Sequence, residues 1–198
     1  MPKFITIEGP DGVGKSLTAK QLKKALEDEG YNCLLTTEPG GTEIGKKIKD
    51  IILQNEMDVL TETLLFFADR AEHYKKVLSS DEPDIIISDR YVDSTIVYQH
   101  KVKGQNIEDV KKLFEMSTGC FVPDLKFVFI SDESHRDYED PNDKHDSAGE
   151  SFRDQLTEEY LQLASENSNK TQIIDTSAKK WECYVEKMKN SIIQLIKN

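Results

Sequence analysis

The stretch Glu8–Ser16, EGPDGVGKS, constrains this chain more than any other, because a glycine, four residues, then Gly14, Lys15 and Ser16 form the pattern of a phosphate cradle. The run Lys3–Glu8 (KFITIE) before it is apolar and β-branched, and Leu17, Leu22, Ala25 and Leu26 after it recur at helical spacing up to Gly30. The glycines therefore stand between a strand and a helix. Gly9, Gly12 and Gly14 let the loop, completed by Pro10, Asp11 and Val13, turn its backbone N–H groups inward, and the helix N-terminus behind adds its positive end. In that geometry Lys15 reaches the β- and γ-phosphates of a nucleotide and the Ser16 hydroxyl ligates Mg²⁺.

The 198 residues suffice for one sizeable core and not for two ordinary domains, so one domain spanning 1–198 is expected. A formal net charge of −11 argues against a nucleic-acid or anionic-membrane surface, since both need a basic patch, and points to a small partner. Cys33, Cys120 and Cys183 are odd in number, widely spaced and in no metal-like pattern, which reads as reduced thiols in the cytoplasm. The N-terminus runs straight into a strand with no leader-like segment, and no apolar stretch has the length of a membrane span. Arginine is scarce. Only Arg70, Arg90, Arg136 and Arg153 occur among many lysines, so each is a candidate for phosphate or bidentate recognition, which its rigid fork suits better than an ammonium does.

Along the chain, Tyr31–Thr37 reads as a second strand running into Glu38, Pro39, Gly40 and Gly41, a turn at a strand's carboxyl end. Thr42 caps a short helix to about Leu53, and Asp58 caps a longer one in which Leu60, Leu64, Phe67, Ala71, Tyr74 and Leu78 form a core-facing stripe. Phe66 and Arg70, four apart, flank that stripe together, either around a ligand or as a core phenylalanine beside a solvated arginine. Pro83–Ser88 (PDIIIS) shows no alternation, as a central parallel strand buried on both faces would, and Asp89 and Arg90 stand at its carboxyl end, where ligands gather in open α/β sheets. Tyr91 to about Lys101 reads as a helix with Arg90, Ser94 and Tyr98 along one face and Thr95 and Gln99 beside them.

A helix from Ile107 to about Met116 and a strand Leu125–Ile130 precede Ser131–Glu150, a polar, acidic, aperiodic segment whose length suits a lid or a disordered loop. Phe152, Leu156, Tyr160 and Leu163 mark the next helix, Thr171–Ile174 a last strand, and Trp181, Val185, Met188, Ile192 and Leu195 a closing amphipathic helix. Strands alternating with helices throughout predict a doubly wound α/β fold with a parallel five-stranded sheet.

With the glycine-rich loop, the EPGG turn, FADR and DRY in hand, the chain resembles the thymidylate kinases, from FITIEGPDGVGKS through TTEPGGTEIG, LLFFADRAEH, ISDRYVDSTIVYQ and PDLKFVFI to EEYLQLA. The resemblance implies a P-loop nucleoside monophosphate kinase that transfers the ATP γ-phosphoryl to dTMP with Mg²⁺, as a homodimer. It implies that Asp11 lies near the transferring phosphoryl, that Lys15 and Ser16 hold ATP phosphates within the loop Gly9–Leu17, and that Asp89 supports the metal with Ser16. It further implies that Glu38 faces the monophosphate site, Phe66 stacks on thymine, Arg70 donates to its O4 and Arg90 binds the dTMP phosphate. Ser94, Thr95 and Gln99 would edge the base, and Tyr98 would sit under the deoxyribose.

Some positions depart from the family pattern. Leu17 replaces a threonine after GKS, and Gly12 stands where one branch of the family has a catalytic arginine, so the catalytic cation is expected from the lid. The other branch has DR(F/I)E there, matched here only by Asp143, Lys144, His145 and Asp146. Lys144 and Arg153 are the resulting candidates, with Arg136 expected to stack on adenine. Thr176–Lys179 (TSAK) resembles a guanine-loop motif without a preceding NKxD, and the arginine-poor lid leaves room for a weakly catalytic nucleotide-binding regulator or a dUMP kinase.

Overall fold

A computed structural model describes residues 1–131, 150–166, 168–177 and 181–197. The strands are β1 (Lys3–Glu8), β2 (Cys33–Thr37), β3 (Ile85–Asp89), β4 (Leu125–Ile130) and β5 (Thr171–Asp175). The helices are α1 (Lys15–Glu27), α2 (Glu43–Gln54), α3 (Val59–His73), α4 (Val92–Thr95), α5 (Ile107–Thr118), α6 (Glu150–Glu166) and α7 (Trp181–Lys197). All strand pairs are parallel and the order is β2-β3-β1-β4-β5, so the chain crosses over the sheet between consecutive neighbours and lays helices on both faces.

Alternation along β1 divides the core. Ile5 and Ile7 point to one face and pack with Ala19, Leu22 and Leu26 of α1 and Met188 and Ile192 of α7. Phe4 points to the other, with Phe67, Ile86, Tyr91, Val92 and Val110. Ile85, Ile86 and Ile87 are all fully buried, as an unalternated central strand requires. Each isoleucine buried in this way contributes about 1.5–3 kcal/mol, which fixes β3 at the sheet's centre and Asp89 and Arg90 at its tip.

The register lines up the carboxyl ends. Ile7 and Thr37 both lie opposite Asp89, and Glu8 lies opposite Val128. The Arg90 N–H then donates to the Ile7 carbonyl at 2.9 Å and the Glu38 N–H to the Asp89 carbonyl at 3.0 Å, stitching three loops into one rim.

Caps fall where the sequence places them. The Thr42 hydroxyl accepts from Gly45 N–H at 2.9 Å and the Asp58 carboxylate from Leu60 N–H at 2.8 Å. Two local expectations are corrected. The helix after Arg90 is α-helical only over α4 and widens to a π-helix over Ile96–Val102, where Lys103 N–H reaches the Tyr98 carbonyl at 3.1 Å. Such widened turns re-aim side chains near binding sites. Second, the core stripe expected along the helix after Asp58 holds at Phe67 of α3 and at Leu78 of the π-helical turn Tyr74–Leu78 that follows, but fails at Leu60 and Leu64, which are exposed, while Glu62, Thr63, Asp69, Arg70 and His73 are buried. Apolar periodicity marks a core face only where the inward surface is apolar, and α3 turns its inward surface to a polar cleft.

Candidate active site

The loop after β1 is built for close approach. Gly9 has φ 137°, and a Cβ there would lie 2.3 Å from the Phe129 carbonyl oxygen, so only glycine lets the chain leave the sheet at this point. α1 starts at Lys15 with no side chain capping it, which leaves its first N–H groups free for an anion. Val13 is buried in the core, whereas Leu17 is turned to solvent on the first turn. The Lys15 ammonium folds back on the Pro10 carbonyl and lies 3.9 Å from Asp11 Oδ1. Burial, then the Arg90 charge, holds it down to about 8, with Asp11, Asp89 and Glu8 opposing. An incoming polyphosphate would reverse that imbalance.

Asp11 links this cation to a second one. Its Oδ1 pairs with Arg90 Nη2, and its Oδ2 accepts from the Tyr98 hydroxyl at 2.9 Å. Burial alone would raise the Asp11 carboxyl, but Arg90 and then Lys15 hold it well below the usual carboxylate range. Arg90 itself is over-determined. It sits at φ 72°, in the left-handed region, with Ser88 Oγ donating to its carbonyl at 2.7 Å. Its Nη1 donates to the Gly9 carbonyl (3.0 Å), Ser94 Oγ (2.9 Å) and the Tyr160 hydroxyl (3.1 Å). Two cations thus flank one carboxylate at the mouth of the loop. Ser16 Oγ donates to Asp89 Oδ2, so a hydroxyl and a carboxylate converge beside them. This pair suits Mg²⁺, which takes one or two protein oxygens and completes its shell with phosphates and water. No cluster of three or more acidic, histidine or cysteine ligands occurs among the described residues.

A second compartment opens between α3 and α4. Arg70 is buried, so of its two expected settings the solvated one is excluded. Its Nε donates to Glu38 Oε2 at 2.8 Å and its Nη2 to Thr95 Oγ1 at 3.0 Å, while Nη1 has no partner among the described residues. The guanidinium lies over the rings of Phe67 (4.7 Å) and Tyr91 (5.3 Å), and Phe66 is half-buried one turn earlier. Glu38, expected at the monophosphate site, instead turns both oxygens to α3. Its Oε1 lies 2.7 Å from His73 Nδ1, and His73 Nε2 lies 2.6 Å from Thr36 Oγ1. The imidazole thus bridges the Glu38 carboxylate through Nδ1 and the Thr36 hydroxyl through Nε2. Gly41 packs on this pair so closely that a Cβ would lie 2.5 Å from the imidazole. Gln99 is buried with its amide nitrogen 3.1 Å from Glu62 Oε2.

A family model described as thymidylate kinase matches residues 7–188. The chain belongs to the thymidylate kinase family. It is 33% identical over 184 residues to the thymidylate kinase of Bifidobacterium longum (strain NCC 2705), covering 88% of this chain and 89% of that one. It is 35% identical over 196 residues to that of Mesoplasma florum, covering 94% and 93%. The crystal structure of thymidylate kinase from Ehrlichia chaffeensis is similar with a TM-score of 0.76 and 28% identity, covering 97% of this chain and 98% of that one. The thymidylate kinase fold and the expected alternation of strands and helices therefore agree.

The expected site residues fall into two groups: Gly9–Ser16, Asp89, Arg90, Ser94 and Tyr98 in one, with Leu17 beside them but turned to solvent, and Glu38, Phe66, Arg70, Thr95 and Gln99 in the other. Arg136 and Lys144, with most of the expected lid, lie outside the described residues. Arg153 is half-buried on the first turns of α6, seven residues and so two turns before Tyr160 on one face. Sequence reasoning missed Tyr160, Glu8, His73 and Glu62. Tyr160 read as core, yet its hydroxyl meets Arg90 and, at 2.8 Å, Ser94. A hydroxyl on a residue at core spacing was the available signal. Glu8 ends a buried strand, and a carboxylate in that position needs a partner.

Glu8 is fully buried, with Oε2 accepting from Ser94 Oγ at 2.6 Å and Oε1 unpartnered among the described residues. Burial, then the charge of Asp93, pushes it up to about 7, against Ser94, Arg90 and Lys126. Below its ordinary 4.5 the group is neutral in both folded and unfolded chains and costs nothing. Between 4.5 and about 7 the unfolded chain releases the proton that the fold retains, so stability falls as pH rises and levels off above 7. Asp69, pushed up to about 6 by burial and by Glu38, adds a drift of the same sign. Glu8→Gln should therefore flatten the decline of Tm between pH 5 and 8, as thermal melts across that range would show. An unaltered slope would mean that Glu8 is ionised in the fold throughout.

Proposed function

We propose that this chain phosphorylates dTMP: an oxygen of the dTMP phosphate attacks the γ-phosphorus of ATP, the bond to the β–γ bridging oxygen breaks, and dTDP and ADP leave. The observation that carries the reading is the buried Arg70 guanidinium, held by Glu38 and Thr95, with Nη1 lacking a partner among the described residues and Phe66 one helical turn away on α3. A buried charged donor without an acceptor is costly, and a pyrimidine O4 stacked on Phe66 would satisfy it.

Phosphoryl transfer asks the protein for positioning and charge neutralisation. The loop Gly9–Leu17 and Lys15 hold the ATP phosphates, and Arg90 takes the dTMP phosphate, exchanging its contact with Asp11 for the ligand. Asp11, between the two cations, keeps them apart and aligned until the phosphates arrive. Ser16 and Asp89 would hold Mg²⁺, which would supply charge neutralisation for the phosphates when bound. Tyr98, on the Asp11 side, closes the sugar end, while Ser94 and Tyr160 fix Arg90 from below. Glu38 anchors Arg70, and Thr95 and Gln99 edge the base. Arg153 and Lys144 are the candidates for the catalytic cation, and Arg136 for the contact with adenine.

The exposed Ile44 and Ile51 of α2 and Leu60 and Leu64 of α3 support a homodimer through that face. Light scattering should give twice the 22.6 kDa chain mass, and a monomeric mass would remove this surface from the account. No helix among the described residues is long and apolar enough to cross a membrane, and the free Cys33, Cys120 and Cys183 suit a reducing cytoplasm.

Coupled measurement of ADP release with each nucleoside monophosphate tests the activity. ADP should form only when dTMP or a close analogue is present, in equal amount to the diphosphate. Acceptor-independent hydrolysis would mark a nucleotide switch, and binding without turnover a regulator.

A further inference from the structure

Glu62, on the first turns of α3, has no part in the reading above, yet it is buried at the edge of the base compartment. Its Oε2 accepts from the Gln99 amide nitrogen at 3.1 Å and from Lys103 Nζ at 2.5 Å. Glu62, Phe66 and Arg70 are spaced four apart along α3, and Thr95, Gln99 and Lys103 four apart along α4, its π-helical continuation and the residue that caps it. The two rows meet at both ends, Arg70 on Thr95 and Glu62 on Gln99, with Phe66 between the two rungs.

We propose that Glu62 is a specificity-determining positioning residue, which fixes the orientation of the Gln99 amide and thereby selects thymine over cytosine. An amide can present either its oxygen or its nitrogen to a ligand, and the choice is set by what holds the other end. A carboxylate oxygen that already faces the Lys103 ammonium accepts, so Glu62 Oε2 holds the Nε2 end of the Gln99 amide and turns Oε1 away from itself. The Lys103 ammonium supplies the balancing charge. That leaves Oε1 as the end of the Gln99 amide directed away from Glu62. The compartment thus offers a donor, Arg70 Nη1, and an acceptor, Gln99 Oε1, on either side of Phe66. Thymine and uracil present an O4 acceptor and an N3–H donor, which match. Cytosine presents a 4-amino donor and an N3 acceptor, which reverse both.

The proposal rests on the assignment of Arg70 and Gln99 to the base, and the test separates the two. kcat/KM is measured for dTMP, dUMP and dCMP on the wild type, Glu62→Gln and Lys103→Arg. In Glu62→Gln the neighbour can donate as well as accept, so the Gln99 amide is free to turn. The preference for dTMP over dCMP should fall by about tenfold or more, one reversed contact being relieved, while the preference for dTMP over dUMP stays unchanged. Lys103→Arg, which keeps both the acceptor-only group and its balancing charge, should retain rejection of dCMP. If Glu62→Gln does not fold, Glu62→Asp withdraws the carboxylate by one methylene and should give a smaller loss of the same preference. A wild type that does not phosphorylate dTMP overturns the base assignment itself. A wild type that does, with a dTMP-to-dCMP ratio unmoved in the Glu62 variant, overturns the role of Glu62 and leaves it a packing residue.

Discussion

Lys15→Ala should lower kcat by about 10²- to 10³-fold, the usual loss when one preorganised donor to a developing charge is removed. The structure explains why the fold should survive. Lys15 is buried, but among the described residues its ammonium is held only by the Pro10 carbonyl and a 3.9 Å approach to Asp11, and burial disfavours its charge. Asp11 keeps Arg90 and Tyr98 when Lys15 is gone. The expected change in Tm is therefore within about 4 °C, the equivalent of 1 kcal/mol in a chain of this size. Steady-state kinetics beside a thermal melt decide the matter. A stable variant with near-normal kcat would remove the phosphate-loop assignment.

Arg70→Ala should injure both stability and turnover, and the two can be separated. Removing one partner of a buried ion pair leaves the other uncompensated, at about 3–5 kcal/mol, or roughly 6–20 °C in Tm. Glu38 is the partner left behind, and its remaining contact with His73 places the loss toward the lower end. Glu38→Gln with Arg70→Met removes both charges at similar volume and should recover most of the melting temperature. It should not recover kcat/KM for dTMP, which stays down about 10- to 150-fold for the lost charged hydrogen bond. If turnover returns along with stability, Arg70 is a structural residue and the base is read elsewhere.

Much of this architecture is legible in the residues themselves. β1, β4 and the phosphate loop follow from apolar runs and glycine spacing, and Thr42 and Asp58 cap where their chemistry requires. The tip of β3 follows as well, because an unalternated isoleucine run can only be central. The illegible part is α3. By hydrophobic period its Leu60 and Leu64 belong inside and Glu62, Asp69 and His73 outside, and the reverse holds. Their positions depend on tertiary partners, Gln99 and Lys103 for Glu62, Gly40 for Asp69, Glu38 and Thr36 for His73, all far away in sequence. The π-helical turn that carries Tyr98 and Gln99 is equally invisible to a 3.6-residue template.

The central claim is that a buried donor beside an aromatic face reads a pyrimidine, and the rank order of acceptors tests it most directly. kcat/KM should fall from dTMP to dUMP by about 10- to 200-fold, since the two differ by one methyl in an apolar setting. It should fall further for dCMP, by about 1–3 kcal/mol, because the 4-amino group meets Arg70 donor to donor and leaves that buried charge unpaired. The order dTMP, dUMP, dCMP in a coupled assay is the predicted result. Turnover of dCMP equal to that of dTMP would contradict it, and with it the assignment of Phe66 and Arg70 to the base.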